Sequence, residues 1–521
     1  MELETNVSAF CQRVLSVAAA GNLTSALQSV VDFVIGIISE ERSIARVFSS
    51  AKLDHLCLDI GKFFGEVKNT TPHAGRCVFL ATAVSRRGGH SRVISSLMQA
   101  DPAKEQHLLI TNVHHDGADD DVPDFLEKSH VSICHENDLA KKVIWLREKL
   151  QRIAPERIYL LIHHFDSVAI AALQPGIAGQ IIYIHNCDHS FSLGSHIPHY
   201  CHIDLHAKGY YYCRENCGVK DNEYWPMVSV PSSLPSTREF LGAGALVTAT
   251  SGGFEKFESP HLRRKIPYSI SYAEAVPRIL AATGGRHVHI GQLSSSMSNE
   301  IDRRLMDEGI EKSRFSNISY VPSIPEALIK LKIDLYLTSF PLGGGLVAIE
   351  VMSAGIPILA HSNYRSSFFS SADLVYPEAV VWRELSELDE VFQKYTSYYL
   401  NQQSLKAISF YRANHSPELL KRCVLDVIEG NRSPVPVRPV YFPDQLQSFL
   451  DEEGRFDEEN ESSESYAQIF TKTHWRVERA IGKLLCKLGL DRDGELLKSR
   501  SNERKKLARQ KKIARRPGRG S

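Results

Sequence analysis

The sequence of 521 residues has no long hydrophobic run, no net charge and no repeated cysteine spacing. Its apolar stretches, such as residues 33–38, are far shorter than the ~18 residues that a membrane-spanning helix needs. Basic and acidic residues number 61 each, so the chain as a whole offers nucleic acid no positive field. The ten cysteines are scattered behind an acidic, polar N-terminus, which is typical of free thiols in a reducing compartment. We therefore expect a cytoplasmic protein, soluble or peripheral, that does not bind nucleic acid through its body.

Composition divides the chain into four regions, with boundaries near residues 70, 240 and 430. Residues 1–70 have apolar residues at helical spacing and predict three or four short helices. Residues 71–240 and 241–430 alternate short β-branched runs with amphipathic stretches, which indicates parallel sheets covered by helices. Residues 431–521 begin with a proline-rich strap and continue with an acidic block, an amphipathic stretch and a basic tail. The predicted fold class is α/β, with two tandem Rossmann-like, doubly wound domains, an N-terminal helical segment and a C-terminal helical, basic tail.

The last strand of the first domain is predicted at 228–230, before Pro231. One of the strands of the second domain is predicted at 318–321. Ligands of open α/β sheets bind beyond the carboxyl ends of the strands, so two such sheets facing each other place the site in the cleft between them.

The segment SFPLGGGLVAIEVMSAGIPIL, residues 339–359, has the pattern of a glycine loop followed by a helix and a strand. Gly343, Gly344 and Gly345 allow close approach of a ligand to the backbone, and the helix that follows offers free N–H groups to an anion such as phosphate. Glu350 lies at least one turn into that helix, where its carboxylate could reach the hydroxyls of a sugar.

A second glycine pair, Gly252 and Gly253, follows the first strand of the same predicted sheet. Lys256 lies beside it and supplies a point charge for phosphate. Lysines on a surface are usually solvated, and what distinguishes Lys256 is that both glycine loops follow strands of one sheet.

Polar residues follow three predicted strand ends in the first domain. A carboxylate beside imidazoles is the arrangement that orients and tunes a general base, although each of these loops could also be an ordinary turn. The residues are Gly88, Gly89 and His90 after the first strand, His164 after another, and His185, Asp188 and His189 after a third.

The histidine-rich stretch around 185–217 also raises the question of a metal. Its ligand-like residues match no closed four-ligand zinc pattern, and polar lining of a substrate cleft explains them better. Asp119, Asp120 and Asp121 lie in a polar loop that reads as solvated. We therefore expect no metal and no cofactor. The residues concerned are His185, His189, His196, His199, His202, His206, Cys201, Cys213 and Cys217.

Two tandem α/β domains with these glycine loops resemble the glycosyltransferases of the GT-B fold, over about residues 76–430. The resemblance implies a nucleotide-sugar donor bound by the second domain and an acceptor bound by the first. It implies that Gly343–Gly345 contact the diphosphate, that Glu350 binds ribose hydroxyls and that Ser323 and Ile324 lie beside the base. Lys256 is similar to the phosphate-binding lysine of the O-GlcNAc transferase and bacterial N-glucosyltransferase branch.

The sequence departs from the two-glutamate pattern of the retaining enzymes, because Leu342 stands where the first glutamate would be. This favours an inverting, metal-independent transfer, in which a base activates the acceptor and positive groups stabilise the leaving diphosphate. The candidates for the base are Asp188, His189 and His90, in no fixed order.

The basic tail, residues 498–521, has eleven lysines and arginines against one acid. With the amphipathic stretch 473–490, it predicts attachment to the cytoplasmic face of an anionic membrane, where a lipid-linked acceptor for cell-envelope polysaccharide would lie. A glycan or a protein acceptor is also compatible with the sequence. The alternatives from other classes are a nucleotide-sugar epimerase of the same fold, which would need no acceptor, and a non-enzymatic scaffold.

Overall fold

The computed structural model describes most of the chain up to residue 439. Within that part, no helix combines the length and the apolarity that crossing a bilayer requires. The described residues are 2–39, 47–67, 71–86, 89–113, 122–123, 126, 130–186, 190–229, 238–242, 244–258, 270–362 and 367–439.

The N-terminal region forms three helices, as the periodicity predicts. The break between the first two falls at Gly21, which has a positive φ of 85° that favours glycine. The side chain of Ser50 caps the third helix by accepting a hydrogen bond from Leu53 N. The helices are α1 (Glu2–Ala19), α2 (Leu23–Ser39) and α3 (Ala51–Lys62).

The first sheet has seven strands, which are all parallel and follow the order β3-β2-β1-β4-β5-β6-β7. Its strands are β1 (His73–Ala81), β2 (Glu105–Ile110), β3 (His130–Ile133), β4 (Pro155–Leu161), β5 (Gln180–His185), β6 (Tyr200–Asp204) and β7 (Glu223–Tyr224). The helices between them are α4 (Gly89–Ala100), α5 (Leu139–Ile153), α6 (Ser167–Ala172) and α7 (Ala207–Glu215). The strand predicted at 228–230 is wrong, since Val228 lies outside any strand and the sheet ends at β7.

The second sheet has six parallel strands in the order β10-β9-β8-β11-β12-β13. Its strands are β8 (Val247–Ser251), β9 (Arg286–Ile290), β10 (Phe315–Ile318), β11 (Leu335–Leu337), β12 (Ile358–His361) and β13 (Val380–Trp382). Its helices are α8 (Phe254–Phe257), α9 (Tyr272–Thr283), α10 (Ser295–Asp307), α11 (Ile324–Lys330), α12 (Gly345–Ser353), α13 (Leu388–Gln393), α14 (Ser397–Asn414) and α15 (Pro417–Ile428). The edge strand β10 ends at Ile318, so the strand predicted at 318–321 was placed three residues too late.

Both sheets have the strand order of a Rossmann fold, and the α/β prediction of two doubly wound domains is confirmed. In each sheet, successive strands are added first towards one edge and then towards the other. The switch falls where β1 lies beside β4 in the first sheet and where β8 lies beside β11 in the second. A crevice opens at each of these switch points, between the loops that follow the two neighbouring strands. The domain boundaries near 70, 240 and 430 stay predictions.

Three hydrophobic clusters hold these layers together. One joins α1–α3, α5 and α6 to one face of the first sheet, so the N-terminal helices share that domain's core. A second packs α9, α10 and α13 against the outer face of the second sheet. The third lies between the sheets and includes residues of α4, α12 and α15. The two domains are therefore joined by a continuous apolar layer.

The chain returns to the first domain after the second sheet. Tyr411 Oη donates to Ser229 O, and His415 lies with Nδ1 2.9 Å from Met227 O. The described part of the proline-rich strap has no regular secondary structure and runs along the first domain, where Tyr211 Oη donates to Pro436 O at 2.8 Å. These contacts tie the end of the second domain to the first.

Candidate functional site

Four loops converge where the two switch points meet. In the second sheet these loops follow β8 and β11, and they contain the two predicted glycine loops. In the first sheet they follow β1 and β4; the first leads into α4, which carries His90, and the second contains His164. A Cβ placed on Gly89 would lie 3.7 Å from the Cβ of Leu346, so the N-terminus of α4 contacts the first turn of α12 across the cleft.

The glycine loop 343–345 is packed against protein on two sides. A Cβ on Gly343 would lie 2.6 Å from Ser371 N, and one on Gly344 would lie 2.7 Å from Lys256 Nζ. Gly344 is the N-cap residue of α12 and has no side chain with which to cap the helix. Ser371 and Lys256 therefore occupy part of the space that the missing side chains of Gly343 and Gly344 leave beside the backbone.

Lys256 lies where the sequence predicts it, beside the glycine loop. Its Nζ donates to Gly343 O at 3.1 Å, and its carbonyl accepts a hydrogen bond from Leu342 N at 3.2 Å. A positive charge consequently lies at the N-terminal end of α12, where the helix dipole already favours an anion.

Glu350 is buried in the second turn of α12 and forms an ion pair with Arg92 of α4 in the first domain. Arg92 also donates from Nη2 to Pro322 O at 3.1 Å. Burial raises the pKa of Glu350, and the Arg92 guanidinium opposes that rise. Sequence analysis missed Arg92, because its partner lies far away in sequence and no spacing links the two.

Ser323 and Ile324 occupy the start of α11, after β10. The Ser323 hydroxyl accepts a hydrogen bond from Glu326 N and so caps the helix. The side chain of Ile324 is buried in the cluster between the sheets. Contacts from this position to a nucleotide base would consequently come from the backbone of these two residues, and their role stays a prediction.

His90 is the second residue of α4 and faces the end of β5. Its Nδ1 lies 3.2 Å from Asn186 Oδ1, and its ring meets the His163 ring edge-on at 5.6 Å between centroids. Burial lowers the pKa of His90 to about 4, so its ring is neutral at pH 7. A neutral imidazole can accept a proton, which is the first requirement for a general base.

His164 and His185 lie deeper than the sequence suggests. His164 Nδ1 contacts Phe191 O, and burial lowers the pKa of His164 to about 4. His185 ends β5 and is 2% exposed, with its Nδ1 2.9 Å from Asp204 Oδ1. The acceptor-side role of both histidines stays a prediction.

Some of the predicted site residues cannot be located. Two of the three base candidates and one acceptor-side glycine lie outside the described residues, so His90 is the one base candidate whose surroundings the structure defines. Outside the described residues lie Gly88, Asp188, His189 and Asp119–Asp121.

A second polar contact between the domains lies beside the glycine loop. Lys208 Nζ lies 3.3 Å from Asp373 Oδ1 and donates to Ser370 O at 2.8 Å, while His206 Nδ1 lies 3.7 Å from Asp373 Oδ2. Burial would raise the pKa of Asp373, but Lys208 and His206 lower it to about 2. A Cβ on Gly345 would lie 3.3 Å from the His206 ring, so this contact adjoins the start of α12.

Two Rossmann-like domains that meet across a cleft at their switch points define the GT-B class of fold. No protein-family model and no curated protein matches the chain. Among solved structures, it is similar to the lipopolysaccharide outer core galactosyltransferase WaaB in its apo form, at 17% identity and a TM-score of 0.48, over 68% of this chain and 99% of that one.

Two further solved structures are similar in the same way. Anabaena HepE in complex with UDP is 14% identical with a TM-score of 0.49, over 68% of this chain and all of that one. A mutant of the Thermobaculum terrenum O-GlcNAc transferase is 12% identical with a TM-score of 0.43, over 86% of this chain and 85% of that one. All of these TM-scores lie below 0.5, and the similarities do not identify the substrate of this chain.

Proposed function

We propose that this chain is a glycosyltransferase that transfers a sugar from a nucleotide-diphosphate donor to an acceptor bound by the first domain. The observation that carries the proposal is the position of the Lys256 ammonium beside the glycine loop, at the N-terminus of α12 and at the switch point of the second sheet. A lysine, a helix N-terminus and a close backbone turn at one point form a binding site for a diphosphate.

The same groups supply the chemistry of the leaving group. When the bond from the anomeric carbon to the diphosphate breaks, negative charge develops on the departing phosphate oxygen. The Lys256 ammonium and the α12 N–H groups would stabilise that charge. The proposed transfer is therefore independent of a divalent ion.

Glu350 would bind the ribose as a carboxylate that is already held by Arg92. The ion pair opposes the loss of charge that burial favours, and it fixes the carboxylate beside the loop at Pro322. Because Arg92 comes from the first domain, donor binding would be coupled to the contact between the domains.

In an inverting transfer the acceptor hydroxyl attacks the anomeric carbon from the face opposite the diphosphate, and a base removes its proton. His90 is the candidate that lies among the described residues, on α4, whose N-terminus contacts α12. Asp188 and His189 remain candidates from the sequence.

The acceptor is proposed to be a glycan, a lipid-linked glycan or a protein. The basic tail at 498–521 supports a peripheral position on an anionic membrane. Co-sedimentation of the full chain with anionic and with neutral vesicles tests that position, and equal pelleting with both would contradict it.

The donor site is tested by titrating nucleotide diphosphates and their sugars into the full chain by calorimetry. At least one should bind, and Lys256→Ala should weaken it about tenfold or more, because a charge-assisted hydrogen bond contributes about 1.5–3 kcal/mol. Lys312→Ala is the matched control, since Lys312 is exposed on the second domain and pairs with Asp302. The proposal is wrong if no nucleotide diphosphate binds, or if Lys256→Ala binds as tightly as the control.

A further inference from the structure

Four potential metal ligands meet in the first domain, away from the glycine loop. They are His185 at the end of β5, His202 and Asp204 on β6, and Cys213 in α7. All four are at most 5% exposed, and His185 pairs with Asp204 across neighbouring strands. Since His202 and Asp204 are two apart on one strand, their side chains share a face of the sheet. We propose that these four side chains bind a zinc ion.

All six distances between the ligand atoms are at most 4.8 Å, and four of them are close to those of a tetrahedral site. Ordinary zinc–ligand bonds at tetrahedral angles put N and O about 3.3 Å apart, and put sulfur about 3.5 Å from either. Asp204 Oδ1 lies 2.9 Å from His185 Nδ1 and 3.4 Å from His202 Nε2. The thiol of Cys213 lies 3.6 Å from His185 Nδ1 and 3.4 Å from Asp204 Oδ1.

One of the four proposed ligand atoms makes no hydrogen bond to the residues that the structure describes. His202 Nε2 is buried and finds no aligned hydrogen-bond partner among the residues that the structure describes. Its other nitrogen, Nδ1, lies 3.3 Å from Ser195 O, to which it can donate. A histidine that binds zinc through one nitrogen usually donates the other to a carbonyl or carboxylate, and His202 has that arrangement.

The carboxylate is held from outside the cluster as well, because Asn222 Nδ2 donates to Asp204 Oδ2. Such an outer contact orients a ligating carboxylate and leaves Oδ1 for the metal.

The charges of the proposed site cancel. Zinc binding displaces the proton of the Cys213 thiol to solvent, and the resulting thiolate and the Asp204 carboxylate together balance the doubly charged ion. A buried site of this composition carries no net charge, which avoids the cost of burying an unpaired ion. Four protein ligands close the coordination sphere, as in structural rather than catalytic zinc sites.

The position of the site gives it a structural role. It would join β5, β6 and α7, and the N-terminus of α7 carries Lys208, which contacts Asp373 of the second domain. His206 lies between the two ligands Asp204 and Cys213 in sequence and adjoins Gly345. The metal would therefore fix the first-domain side of the contact that lies beside the glycine loop.

The test is the metal content of the full chain, purified with a reductant and without a chelator. We expect about one zinc ion per chain by elemental mass spectrometry, and a large loss of zinc in His202→Gln and in Cys213→Ser. His199→Gln and Cys201→Ser are matched controls and should keep their zinc. His199 Nε2 lies against Leu173 O, and Cys201 is outside the cluster.

Cobalt replacement supplies a second measurement, and its wild-type arm does not depend on how well the variants fold. The wild-type chain reconstituted with Co²⁺ should show the thiolate-to-cobalt charge-transfer absorption of a tetrahedral site, and Cys213→Ser should lack it. The proposal is overturned if the wild-type chain neither holds zinc nor shows this absorption, or if both ligand variants keep zinc. It is also overturned if Cys213 is found in a disulfide with its neighbour Cys217 under the same reducing conditions, since a disulfide sulfur offers no thiolate to the metal.

Discussion

In each sheet two buried histidines lie close together, and the two pairs have different partners. In the second sheet, His287 and His289 lie on β9 and face hydroxyl groups. His287 Nδ1 lies 2.7 Å from Thr248 Oγ1 and its Nε2 lies 3.0 Å from Tyr272 Oη, while His289 Nδ1 lies 2.9 Å from Thr250 Oγ1. Because hydroxyls can both donate and accept, neutral rings satisfy every one of these contacts. Burial lowers the pKa of both histidines to about 3.

In the first sheet, His185 and His202 face a carboxylate and a thiol instead. A neutral imidazole has one nitrogen that donates and one that accepts. The carboxylate can accept from the first but cannot donate to the second, and the thiol is only a weak donor. The two pairs therefore differ in the charge of their neighbours: the hydroxyls around His287 and His289 form a neutral hydrogen-bond network, whereas the carboxylate and the thiol beside His185 and His202 are potential metal ligands. Residue type alone does not distinguish the two cases.

The largest difference between the two pairs should appear when the anion is removed. Asp204→Asn keeps the shape of the side chain but removes the charge that the two imidazoles surround. We expect the free energy of unfolding to fall by about 3–5 kcal/mol, the range for breaking a buried charge pair. Guanidinium unfolding of the full chain measures it.

The control for that variant is Thr250→Val in the second sheet, which removes a buried hydroxyl without removing a charge. Its cost should stay within about 1–3 kcal/mol, the penalty for leaving buried hydrogen-bonding groups unsatisfied. Equal losses in the two variants would mean that the first-sheet pair is an ordinary hydrogen-bond network.

Much of the second domain's contribution to the cleft could be predicted from the sequence. The sequence places both glycine loops after strands of one sheet. In the structure they follow β8 and β11, which pair directly with each other. The histidine cluster could not be predicted, because β6 reads Tyr-Cys-His-Ile-Asp and lacks the apolar run that marks a buried strand. Without β6, no spacing brings His202 and Asp204 to His185. Arg92 was missed for a similar reason, since its pairing with Glu350 depends on how the domains meet.

Acid should weaken the fold in part through the neutral histidines of the second sheet. In the unfolded chain a histidine binds a proton below about pH 6.5, whereas folded His287 stays neutral down to about pH 3. The unfolded state therefore binds more protons between these values, and stability falls as the pH falls through that window. Each such histidine should contribute a slope of about 1.4 kcal/mol per pH unit.

Urea unfolding of the wild type and of His287→Asn at several values between pH 7 and pH 4.5 tests this expectation. The variant should lose stability less steeply with acid than the wild type, by about the slope of one histidine. The same slope in both chains would show that His287 is not neutral when buried.

The smallest effect should come from a single hydroxyl at the centre of the second pair. Tyr272 Oη lies 3.0 Å from His287 Nε2 and 3.1 Å from His289 Nδ1, and Thr250 Oγ1 also reaches both rings. Tyr272→Phe removes that hydroxyl and keeps the ring packed against Phe257, so Thr250 can take over part of its hydrogen bonding. We expect the free energy of unfolding to fall by about 1 kcal/mol, with the zinc content of the chain unchanged. Loss of zinc in this variant would contradict the separation of the two histidine pairs, because Tyr272 lies on α9 of the second domain and makes no described contact with the proposed ligands.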